Sequence, residues 1–74
     1  MSKYIILSKG PTNFNRIYGI AKDKYLDKDV YEWTYNYKDL KEHEFSEERA
    51  KEIIRDHNLA KDNALIFPAW VFAI

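Results

Sequence analysis

Residues 30–37, VYEWTYNY, place Tyr31, Trp33, Tyr35 and Tyr37 on alternate positions, with Glu32, Thr34 and Asn36 between them. In an extended backbone successive side chains point to opposite faces, so this spacing predicts a strand with one aromatic face and one polar face. Such a strand needs a second layer to bury its apolar side. Three uses fit the stripe: half of a hydrophobic core, a platform for stacked nucleobases, or a patch for a protein partner. The rest of the chain has to choose among them.

The remaining elements supply the layers. Residues 3–9, KYIILSK, are an apolar run stopped by Gly10 and Pro11, which predicts a strand buried on both faces. Residues 16–22, RIYGIAK, predict a second strand paired with the first, in which Gly19 marks either a bulge or a close neighbour. The charged stretch 23–29, DKYLDKD, reads as a solvated connection able to continue that strand, and residues 30–37 are the third. Residues 46–57 give one helix, with Ser46 as N-cap and Glu47 and Glu48 at the positive end of its dipole. Ala50, Ile53, Ile54 and His57 form a single stripe along it. Phe45 is placed to pack back on the first turns, and Asn58 to stop the helix in the left-handed conformation. In the last run, 64–74, Pro68 would break a helix, so ALIFPAWVFAI predicts a strand at an edge or a bulge. The expected architecture is α+β: a small, mainly antiparallel sheet of three to four strands with one helix packed on it, in the order β-β-β-α-β, as a single domain over residues 1–74.

A chain of 74 residues buries only about 60% of the surface its unfolded form exposes, and with no Cys it has no disulfide to supplement its core. A hydrophobic share of 46% still marks it as folded. Trp33 and two or three of the tyrosines are expected under the helix, against Ile53 and Ile54. A helix of about 12 residues covers roughly 18 Å by 10 Å, less than one face of a four-stranded sheet about 20 Å across. Apolar surface should therefore remain. Trp70, Phe72 and Ile74 share one side of the last strand and are the candidate interface of a two-fold homodimer.

Catalytic chemistry finds little footing. Cys is absent, Ser46 has a capping role, and His43 with Glu47 lacks the second histidine of a zinc-helix motif. Two glycines cannot build a phosphate cradle, so neither enzyme activity, metal nor cofactor is expected. The N-terminal apolar core, residues 4–7, is shorter than the roughly 7 to 15 residues of a signal peptide. The 11 apolar residues at 64–74 are about half a bilayer span, and a cytoplasmic protein without membrane association is expected.

Twelve basic residues balance twelve acidic ones, but unevenly. Residues 1–28 hold Lys3, Lys9, Arg16, Lys22, Lys24 and Lys28 against Asp23 and Asp27, whereas Asp39, Glu42, Glu44, Glu47 and Glu48 crowd residues 39–48 around Lys41 alone. Those five carboxylates are the candidate partner-binding residues, with a solvated turn and ordinary helix N-terminal acids as the plainer reading. Nucleic acid requires phosphate neutralisation, and the basic component is missing beside Trp33. A nucleic-acid-binding module using sheet-face aromatics is therefore the alternative rather than the first reading.

In layout, with KYIILS opening the first strand, a KYL segment leading to a Trp-bearing strand and a short helix opening FSEERAKEII, the chain resembles the small accessory proteins of bacteriophages. The resemblance spans nearly the whole chain and implies a small non-catalytic binder that modulates or inhibits a host protein. It departs from the strongly acidic DNA-mimicking inhibitors, since the net charge is zero. Any mimicry would be confined to residues 39–48.

Overall fold

β1 (Tyr4–Lys9), β2 (Asn15–Asp23), β3 (Lys28–Thr34) and β4 (Leu65–Pro68) form one antiparallel sheet in the spatial order β3-β2-β1-β4. The structure, a computed structural model, describes residues 3–9 and 15–70. Among the described residues a single α-helix, α1 (Glu47–Asp56), lies between β3 and β4 in the chain, so the α+β fold and the element order are those the sequence predicts. Ser46 caps it as expected, its hydroxyl accepting the Arg49 N–H at 3.2 Å, and Asn58 ends the turn beyond it at φ 54°.

β1 is interior to the sheet, which explains its unbroken apolar run: Ile5 and Ile6 are both 0% exposed yet point to opposite faces. On the Ile6 face the core comprises Tyr18, Phe45, Ala50, Ile53 and Leu59, with Tyr31, Trp33, Ile54 and Ile66 packed at its margin. On the Ile5 face it comprises Leu7, Ile17, Ala21 and Leu40, bordered by Phe67 and Ala69. Leu40 belongs to the segment between β3 and α1. One helix is thus not asked to cover both faces, because the connection covers part of the second.

β3 starts and stops earlier than its sequence pattern indicates. Its start is set by the hairpin: the Asp23 carboxylate accepts the N–H groups of Tyr25 and Leu26, Asp27 takes φ 49°, and Asp23 pairs with Lys28. Its end is set by Thr34 and Asn36. The Thr34 hydroxyl accepts the Asn36 N–H at 3.3 Å, and the Asn36 side chain accepts the Lys38 N–H at 3.1 Å, opening a 3₁₀ turn at Tyr37–Asp39. Local side-chain bonds of this kind compete with strand pairing. Only Tyr31 and Trp33 of the stripe therefore reach the core; Tyr35 and Tyr37 turn outward.

The connection then crosses the sheet. β1 and β2 pair from Ile6↔Tyr18 through Lys9↔Asn15, and beyond Ile6 they part. Into that opening the connection inserts: Ile20 donates to the Glu42 carbonyl at 2.8 Å, Lys41 donates to the Ile20 carbonyl at 2.7 Å, and Tyr4 and Phe45 exchange bonds of 2.7 and 2.8 Å. Leu40 is buried on one face before the crossing and Phe45 on the other after it. Gly19 is the close neighbour that permits this. A Cβ there would collide with the Glu42 carbonyl oxygen and lie 2.8 Å from Leu40 Cδ1 and 3.2 Å from His43 Cα.

β4 is shorter than predicted. It ends at Pro68, Ala69 and Trp70 leave strand geometry, and residues 71–74, with Phe72 and Ile74, lie outside the described residues. Gly19→Ala should cost about 3 kcal/mol, the upper end for overpacking, because the obstruction is backbone and cannot rotate away. Urea unfolding checks this, and a loss below about 0.5 kcal/mol would mean that the connection is free to move off Gly19.

Candidate functional site

The crossing fixes the segment that carries the acidic run. It is pinned by backbone bonds to Ile20 and Tyr4, by the burial of Leu40 and Phe45, and by Lys41, whose ammonium sits 3.0 and 3.1 Å from the two Asp29 carboxylate oxygens. Between β3 and these anchors it presents Tyr35, 57% exposed, Tyr37, 39% exposed, and the exposed Asp39 and Glu42. Tyr37 lies 5.1 Å from the His43 ring, which in turn faces Glu44 at 3.6 Å.

The five acidic residues do not share one setting. Asp39 precedes the buried Leu40 in the chain, Glu42 pairs through its backbone with Ile20, and Glu47 and Glu48 occupy the first turn of α1. Glu44 lies 3.6 Å from His43 Nε2, and Glu47 pairs with Lys51 one turn on at 3.3 Å. Among the described residues, Asp39, Glu42 and Glu48 have no ion pair. Asp39 and Glu42 are exposed, as are Tyr35 and Tyr37 of the same connection.

A second constellation sits on the Ile6 face near β3. Tyr18 stacks on Tyr31 with centroids 5.7 Å apart, packs against Trp33 at 4.9 Å, and meets the His57 ring edge-on. Its hydroxyl lies 2.7 Å from His57 Nδ1. The Arg16 guanidinium lies over the Trp33 ring at 5.1 Å, and Arg49 donates to the Tyr31 hydroxyl at 3.3 Å. Burial holds the Tyr18 phenol above the ordinary tyrosine range, with the nearby Tyr31 hydroxyl and Asp62 carboxylate adding to the effect. Arg49 is likewise shifted upward, first by its bond to Tyr31 and then by that to Glu52.

The sequence reading places His57 on the helix stripe without a role of its own, yet His57 closes this cluster by meeting Tyr18 from the far end of α1. The strand parity of Tyr18 with Trp33's partner position and the place of His57 on the helix stripe are the signals for it, although their meeting depends on where α1 lands. Trp70, named for a dimer contact, follows β4 and is 64% exposed; its companions Phe72 and Ile74 are not among the described residues. Among the described residues no three His, Cys, Asp or Glu side chains are grouped to hold a metal ion, and no helix is long and apolar enough to cross a membrane. In comparisons with known proteins the chain matches no family model, no curated protein and no solved structure.

The Tyr18 shift has a defined consequence with pH. An unfolded tyrosine ionises near pH 10, whereas folded Tyr18 does so higher, so as pH rises from about 10 through the folded value the unfolded state loses its proton first and stability falls. Tyr18→Phe should lose about 1 kcal/mol at pH 7 with the His57 bond, and should then show a shallower decline between about pH 9 and 11. Urea unfolding of both proteins across that range measures it; parallel declines would show that the Tyr18 phenol is not held neutral.

Proposed function

We propose that this chain is a small non-catalytic protein-binding modulator, of the bacteriophage accessory type, that acts in the bacterial cytoplasm by occupying a basic surface on a host protein. The observation that carries this reading is the pinned connection, along which Tyr35, Tyr37, Asp39 and Glu42 are all exposed. Tyrosines on a rigid support are typical interface anchors, since they offer large contact area at low entropic cost. Asp39 and Glu42, exposed on the same connection and without an ion pair among the described residues, favour a partner carrying Lys and Arg. Glu44 and Glu48 add acidic residues to the same stretch of chain.

The alternative, a nucleic-acid-binding module, draws on Tyr18, Tyr31 and Trp33. Base stacking needs an open ring face, and these rings are already engaged with one another, with His57 and with Arg16. That engagement favours the protein partner.

Affinity capture from a bacterial lysate, read by mass spectrometry and by nucleic-acid staining, tests the proposal. The native chain should enrich one host protein. With that protein in hand, Asp39→Asn combined with Glu42→Gln should slow association about tenfold at low ionic strength, whereas Glu47→Gln, whose carboxylate is paired with Lys51, should change it little. Recovery of RNA or DNA in place of protein, released by salt, would replace this reading with the alternative.

A further inference from the structure

The sheet has two outer edges, and they are not equivalent. Because Ile20 spends its N–H and C=O on the connection, its cross-strand partner Tyr31 belongs to a non-hydrogen-bonded pair. The Tyr31 backbone therefore points away from the sheet, and with the unbroken register of β3 so do those of Asp29 and Trp33. Among the described residues none of these outward groups has a backbone partner. On β4 the same reasoning starts from Tyr4, whose N–H and C=O are taken by Phe45, so the outward positions are Ile66 and Pro68. Pro68 has no N–H, which blunts that edge. β3 is the longer edge and the one with donors at every outward position.

We propose that β3 pairs with β3 of a second copy of this chain, antiparallel across a two-fold axis at Val30, joining two sheets into one. Charge selects both the occupant and the register. Centred on Val30, Asp29 meets Tyr31 of the other copy as a hydrogen-bonded pair, both residues having outward backbones. Lys28 then faces the other copy's Glu32 at a non-hydrogen-bonded position, where opposed Cα atoms come within about 4.5 Å. The two-fold repeats this ion pair, and Val30 meets Val30 between the repeats. The neighbouring registers lose the match: centring on Glu32 opposes two carboxylates, centring on Tyr31 sets Glu32 against Val30, and centring on Asp29 opposes Asp29 to itself. Lys28 and Glu32 are exposed in one copy and have no ion pair among the described residues, so the contact claims charges that the fold itself does not use. This inference stands apart from the partner-binding reading and does not require it.

Sedimentation equilibrium from about 1 µM to about 1 mM tests it, with the charge-reversal pair as the decisive variants. The native chain should shift from 8.9 kDa toward twice that mass as concentration rises. Lys28→Glu alone and Glu32→Lys alone should each raise the dissociation constant about tenfold or more, since each turns two attractions into repulsions, and the double variant should recover the native value. Circular dichroism of the single variants separates a lost contact from a lost fold, and the recovering double variant does so independently. A mass of 8.9 kDa at every concentration would overturn the proposal. So would a dimer indifferent to both single reversals, since its contact would then lie elsewhere, as at Trp70.

Discussion

The pairing of the connection with Ile20 on one side and Tyr4 on the other is the interaction on which the rest of the structure depends. β1 and β2 diverge past Ile6, and without an insert their inward-facing N–H and C=O groups would be buried with no partner, an expensive state for backbone. The connection supplies those partners. In doing so it brings Leu40 over one face and Phe45 under the helix on the other, which lets one helix and one loop serve a sheet that is apolar on both sides. For a chain without disulfides this economy matters, because few side chains are available to exclude water.

Much of this was legible in the sequence where the signal is local. The Ser46 cap, the Ala50–Ile53 stripe and the Asn58 stop depend on residues within a few positions of one another, and they stand where the pattern puts them. The burial of Ile5 and Ile6 follows from an apolar run with no polar alternation. In the sequence Gly19 reads as a bulge or a close approach, and the register of β2 against β3 is continuous through it, so the approach is the reason. The rest needed tertiary information. Alternation of aromatics to Tyr37 implied a longer third strand, but Thr34 and Asn36, read as the polar face of that strand, use their side chains to bend it. The crossing leaves no local mark at all, since the same residues, Lys41 and Glu42, read as an acidic solvated turn.

That difference also redistributes the surfaces. Tyr31 and Trp33 close the margin of the core with Tyr18 and His57, whereas Tyr35 and Tyr37 join the acidic segment outside it. A stripe that looks uniform in sequence is therefore divided between stability and display. The open edge of β3 follows from the same pairing, because the bonds Ile20 makes to the connection dictate which residues of β3 face outward.

Native-state hydrogen exchange of backbone amides tests the central role of the crossing most directly. The Ile20, Lys41 and Phe45 amides, all bonded across the opening, should exchange as slowly as the amides in the middle of the β1–β2 ladder and only through global unfolding. Exchange of these three at rates typical of an exposed loop, while the β1–β2 ladder stays protected, would contradict the account and reduce the connection to a tether lying on a sheet that stands without it.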